Sequence, residues 1–217
     1  MALPFAPALA LASVLALFGS QSAWAWDAAQ MARAAEQRGP SAVAALGPLQ
    51  ALLRSSAART DLERVRTVNA FYNQRIVFAT DREVWGQEDY WASPLQTLAQ
   101  GRGDCEDYAI AKYATLLAAG VAPGSLRLVY VRARIAGLAL AQPHMVLTWQ
   151  SVPDADPLVL DNLRPEVLPA AQRTDLTPLF SFNAEGLWQD SRPAGDPMAR
   201  LSRWREVWQR TREEGFP

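Results

Sequence analysis

Apolar residues recur at helical spacing over much of the chain. Positions 27–38 and 41–54 are Ala-rich with a helical pattern, divided by Gly39-Pro40. Over 60–74, Leu62, Val65, Val68, Phe71 and Tyr72 fall on one helical face. A fourth helical stretch, 105–119, is rich in Ala, Leu, Tyr and Ile and meets Gly120 as its stop signal. Near the end, Met198, Leu201, Trp204, Val207 and Trp208 form a stripe opposite Arg200, Arg203, Glu206 and Arg210, as expected of a helix docked on the body of the protein. Three runs read as strands instead: 126–135, 145–149 and 158–160 are β-branched, apolar and aromatic. The pattern predicts an α+β fold in which the 105–119 helix packs on an antiparallel sheet.

The first 25 residues stand apart. Positions 6–18 are almost wholly apolar, and Ala23-Trp24-Ala25 supplies a small-x-small cleavage site, although no Lys or Arg precedes the apolar run. That run falls short of the roughly 20 residues a spanning helix needs. The expected organisation is a secretory leader, 1–25, cleaved after Ala25, followed by one domain, 26–217. A chain of 217 residues, half of them hydrophobic, can bury one sizeable core. A net charge of −1 with no basic run argues against nucleic acid as partner, and no other segment suggests an integral membrane protein.

The chain has one cysteine and one histidine, so any Cys-His chemistry falls to a single pair. Cys105 follows Gly101, Gly103 and Asp104, an N-cap residue type, and so opens the helix. Unpaired N–H groups at a helix start stabilise a thiolate and can hold an oxyanion. His144 lies at the head of the 145–149 strand, and Asp161 closes Leu158-Val159-Leu160. Nucleophile, base and orienting carboxylate are therefore all present. Each residue also has a plainer role open to it: a buried apolar thiol, a core imidazole and a turn-forming Asp before Asn162. Trp85 and Trp91, in the loop before the cysteine, suit either a groove wall or the core.

Three carboxylates, Asp104, Glu106 and Asp107, crowd the nucleophile. Unpaired, they oppose the thiolate. As hard oxygen donors outside the cytoplasm they suit Ca²⁺, although acidic residues also favour a helix start without any ion.

The runs Asp89-Tyr90-Trp91-Ala92-Ser93-Pro94, Gly101-Arg102-Gly103-Asp104-Cys105-Glu106-Asp107-Tyr108-Ala109, His144-Met145-Val146-Leu147 and Pro157-Leu158-Val159-Leu160-Asp161-Asn162-Leu163 resemble the bacterial transglutaminase-like cysteine proteinases of the LapG type. The later Leu176–Phe182 run and Gly186-Leu187-Trp188 are similar to the same family. The resemblance implies a papain-like or transglutaminase-like fold, with Cys105 as nucleophile, His144 as general base and acid, and Asp161 as orienting carboxylate. It implies calcium dependence, the flanking acidic residues matching Asp104 and Glu106. It further implies a periplasmic endopeptidase that cuts the N-terminal region of a large surface adhesin to release biofilm cells, sequestered by an inner-membrane receptor that binds cyclic di-GMP. Two other functions remain open on these residues: acyl transfer to an amine through the same thioester, and a non-catalytic binding module.

Overall fold

A computed structural model describes residues 26–217 apart from Ser191; the expected leader lies outside the described residues. The first half is helical. Helix α1 (Ala28–Arg38) starts at Asp27, whose carboxylate accepts the N–H groups of Ala29 and Gln30, both at 2.9 Å. Helix α2 (Pro40–Ser56) follows with Pro40 in its first turn. Helix α3 (Asp61–Arg75) opens on a capping box, in which the Thr60 N–H donates to Glu63 Oε2 at 2.8 Å and the Glu63 N–H donates back to Thr60 Oγ1. Strand β1 (Val77–Phe78), the short helix α4 (Asp81–Trp85), helix α5 (Pro94–Gln100) and strand β2 (Arg102–Gly103) lead into helix α6 (Cys105–Ala118).

The second half is the sheet. Strands β3 (Leu126–Ala133), β4 (Gln142–Trp149), β5 (Leu158–Leu160), β6 (Leu168–Pro169), β7 (Leu176–Phe182), β8 (Leu187–Gln189) and β9 (Arg192–Gly195) form one seven-stranded sheet in the order β6-β5-β4-β3-β7-β8-β9. Every neighbouring pair in it is antiparallel. The three strands expected from the pattern lie side by side in it as β5-β4-β3. The outer strands are short and less buried, and β7 carries Pro178, so their periodicity is weak. Strands β1 and β2 form a separate parallel pair.

Helix α6 is buried along nearly its whole length. It packs on β4 and β3 on one side and on α3 and α5 on the other. Ile110, Tyr113, Ala114, Leu116 and Leu117 are fully buried in the cluster that also holds Leu126, Leu128, Met145 and Leu147 from the sheet. The C-terminal stripe is divided between α7 (Pro197–Arg200) and α8 (Ser202–Glu213), the break falling at Leu201. Trp204 closes the core edge-on against Tyr113 and Phe182. Beyond α8, the buried Glu214 carboxylate takes the hydroxyl of Ser93 and the N–H of Leu95 at the start of α5, and pairs with Arg38 at 2.7 Å. Among the described residues no helix is long and apolar enough to cross a membrane.

Candidate functional site

The segment before Cys105 is fixed by backbone bonds. Gly101 ends α5 in the left-handed conformation, with φ +62°. Val77 and Ala79 donate their N–H groups to the carbonyls of Gly101 and Gly103, both at 2.9 Å. Cys105 is the first residue of α6, as the sequence predicts. Asp104 holds the N-cap position, but its side chain makes no capping bond; it turns into the acidic cluster instead. The thiol is half-buried and donates to Glu106 Oε2 at 2.9 Å. Burial raises its pKa well above the ordinary thiol value, as do the charges of Glu106 and Asp104, while the Met145 N–H draws it back. Without a counter-charge, burial and then the carboxylates oppose the thiolate here.

His144 lies within β4, opposite Val131 of β3. Its Nε2 is 2.8 Å from Asp161 Oδ1, and both residues are buried. The same Oδ1 accepts the N–H of Leu163 at 3.0 Å, so Asp161 shapes its turn and meets the imidazole together. Asn73 of α3 donates to the Asp161 carbonyl at 2.7 Å. The second carboxylate oxygen accepts from Arg173 Nη2 at 2.6 Å. Burial alone would raise the Asp161 carboxyl; its bonds and attraction to His144, the Leu163 N–H and Arg173 overcome this and hold it at about 2.

Asp104, Glu106 and Asp107 lie together, joined by a residue the sequence reading missed. The carboxylates of Asp81, Asp104 and Asp107 offer oxygens within 4.8 Å of one another, and Asp104, Cys105 and Glu106 form a second such group. Asp107 Oδ1 accepts the Ala92 N–H at 2.8 Å, and Asp81 accepts that of Tyr90. Asp81 Oδ1, Asp104 Oδ1 and Asp107 Oδ2 are buried with no hydrogen-bond partner. Burial, followed by the neighbouring carboxylates, pushes Asp104 up to about 10. Burial leads again at Asp107, pushed up to about 8, and at Asp81, pushed up to about 6, in both cases against a backbone N–H bond. An open pocket lined by Thr80, Asp81, Arg82, Glu88 and Asp104 gives access to the cluster. Orphaned, all-oxygen donors of this kind fit a hard divalent cation.

Asp81 opens α4, far from Cys105 in sequence, and Arg173 lies between β6 and β7; neither neighbourhood carries a local sign of its role. Trp91 takes the core role, buried against Tyr130 and Phe182, while Trp85 packs at a tilt against Tyr90.

Residues 49–181 match the family model of bacterial transglutaminase-like cysteine proteinases. Among solved structures, the chain is similar to LapG of Legionella pneumophila, with 34% identity and a TM-score of 0.74 over 87% of this chain and 99% of that one. An EGTA-treated form of the same protein matches at 35% identity and TM-score 0.75 over 87% and 100% of the two chains. Its calcium-bound form matches at 34% and 0.72 over 85% and 98%. No curated protein matches the chain significantly. The family match and the structural likeness lie on the same helix-on-sheet frame that carries Cys105, His144 and Asp161, and the chain belongs to the bacterial transglutaminase-like cysteine proteinases.

Proposed function

We propose that this cysteine proteinase is a calcium-dependent endopeptidase of the periplasm, with Cys105 as nucleophile, His144 as base and acid, and Asp161 as the orienting carboxylate. The observation that carries the reading is the His144–Asp161 bond through Nε2 at 2.8 Å, made by the sole imidazole on the strand that packs against the helix of the sole thiol. With Nε2–H donated to Asp161, Nδ1 is left with a lone pair for the thiol proton. In the reaction, Nδ1 takes that proton and Sγ attacks the peptide carbonyl carbon. The resulting oxyanion is met by N–H groups at the start of α6. The imidazolium then protonates the departing amine, leaving a thioester. Water, deprotonated by His144, attacks the thioester, releasing the acid and returning the proton to the thiol.

Asp104, Glu106 and Asp107, with Asp81, would hold Ca²⁺. Bound there, the ion supplies positive charge that offsets the carboxylates around Cys105 and favours the thiolate. The similar LapG protein occurs in calcium-bound and EGTA-treated forms, which supports this assignment.

The periplasmic address rests on the leader at 1–25. The substrate we infer is the N-terminal region of a large surface adhesin, cut to release biofilm cells, with an inner-membrane cyclic di-GMP receptor sequestering the protease. The deciding experiment incubates the mature protein with outer-membrane fractions and maps new N-termini. Cleavage that disappears in Cys105→Ala supports the reading, and incorporation of an added amine without cleavage selects acyl transfer instead.

A further inference from the structure

Asp161 divides its two oxygens between two partners. Oδ1 accepts from His144 Nε2 and the Leu163 N–H; Oδ2 accepts from Arg173 Nη2 at 2.6 Å. Arg173 is itself held. Its Nε and Nη2 donate to Asp175 Oδ1 and Oδ2 at 3.0 and 2.8 Å, a two-pronged pair. Its N–H donates to the Ala170 carbonyl at 2.9 Å. The side chain is buried, so the guanidinium fork, fastened at one end to Asp175, reaches Asp161 with one fixed geometry.

We propose that Arg173 is a positioning residue for the reaction: it fixes the rotation of the Asp161 carboxylate so that Oδ1 stays on His144 Nε2 and the Nδ1 lone pair stays available. Its meaning for catalysis rests on the proteinase reading above. Positive charge alone does not describe the role. Lys112 of α6 is a second buried basic residue near Asp161: burial lowers its pKa to about 7 and Asp161 draws it back up, while its Nζ sits 5.5 Å from the centre of the Tyr108 ring. Arg173 adds what an ammonium lacks, a planar fork that fixes an oxygen in direction as well as in charge. A carboxylate anchored on one side only can rotate, and the imidazole then loses the partner that selects its tautomer.

The test uses the chain's single histidine and single cysteine as reporters, so it needs no identified substrate. Long-range ¹⁵N imidazole spectra of the calcium-loaded protein give the His144 tautomer, and the rate of iodoacetamide alkylation gives the reactivity of Cys105. Arg173→Met and Arg173→Lys are compared with the parent. We expect one Nε2–H tautomer in the parent and a mixture in Arg173→Met. The alkylation rate should fall about 10- to 100-fold, the effect that losing an outer-shell partner has at metal-bound histidines. Arg173→Lys, which retains charge and gives a folded comparison where Met unfolds the protein, should restore stability and only part of the tautomer preference. An unchanged imidazole spectrum and alkylation rate in either folded variant overturns the proposal. Because neither readout involves peptide cleavage, that outcome is separate from a failure of the endopeptidase reading.

Discussion

Gly103 and Asp107 occupy one space beside Cys105: a Cβ on Gly103 would lie 2.6 Å from Asp107 Oδ2 and 2.9 Å from its Cβ. The Asp107 backbone is held in the first turn of α6, so the side chain is what must give way. Gly103→Ala should therefore push the Asp107 carboxylate out of the acidic cluster and cost about 1–3 kcal/mol, the usual range for overpacking. Thermal melts and calcium calorimetry check this; unaltered melting and unaltered calcium affinity would contradict it.

Cys105→Ala and His144→Ala should each reduce cleavage by at least about a thousandfold, because the chain offers no substitute thiol or imidazole. Circular dichroism should show the fold retained. Asp161→Asn should lose up to about 10⁴-fold through the imidazole tautomer. It should also melt earlier, since it removes one of the two ionic partners of the buried Arg173 and leaves only Asp175. Steady-state cleavage alongside melting separates the two effects.

Chelation with EGTA should abolish activity, and Ca²⁺ but not Mg²⁺ should restore it. Asp104→Ala and Glu106→Ala should weaken calcium binding, and Asp81→Asn, whose Oδ1 has no partner in the protein, should do the same by calorimetry. Full activity in metal-stripped buffer, with no calcium bound, would leave the carboxylates as helix-start residues only.

The acidic cluster also sets a pH dependence. In the metal-free fold Asp81, Asp107 and Asp104 sit at about 6, 8 and 10, above the roughly 3.9 of an unfolded Asp. The folded chain then binds more protons than the unfolded one. Stability from these groups is complete below about pH 4 and is lost as pH rises through their folded values. Asp161, lowered to about 2, runs the other way: its contribution is complete above about pH 4 and is lost only as pH falls through about 2. The EGTA-treated protein should melt progressively earlier from about pH 5 to about pH 8, and saturating calcium should flatten that slope. A metal-free melting temperature that is level over this range would refute the electrostatic account of the cluster.

A purified periplasmic domain of the inner-membrane receptor should bind the protease and suppress cleavage while leaving Cys105 chemically unmodified. Cleavage assays at saturating receptor, with mass spectrometry of the intact chain, check both parts; an unchanged rate removes this regulator from the proposal.

The central elements were legible because their signals are local. Gly101 and Gly103 before Cys105, Gly120 after the helix, and the runs ending at Trp149 and Leu160 name the helix and strands β4 and β5 directly. Helix α5 carries a Ser93–Gln96 capping box and Pro94 at its start, a pattern present in the sequence but passed over. Strand β7 was hidden by Pro178, and its outward residues give no clean alternation. At the site, Asp104, Glu106 and Asp107 stood out by adjacency. Asp81 and Arg173 join only because the fold brings α4 to the head of α6 and the β6–β7 connection to the end of β5. Asp104 shows the opposite error: a residue type that usually caps its helix turns instead toward other carboxylates, whose charges oppose its own ionisation.

The Glu214 carboxylate, which holds the Ser93 hydroxyl and the Leu95 N–H, bears on the order of assembly. Helix α5 feeds directly into the segment that presents Cys105, and its N-terminus is completed by a residue more than a hundred positions later. Contacts of such long range form late and slow folding. The segment that presents Cys105 is thus completed only when Glu214 docks on the start of α5, so the C-terminal end of the described chain must reach α5 before that helix start is held.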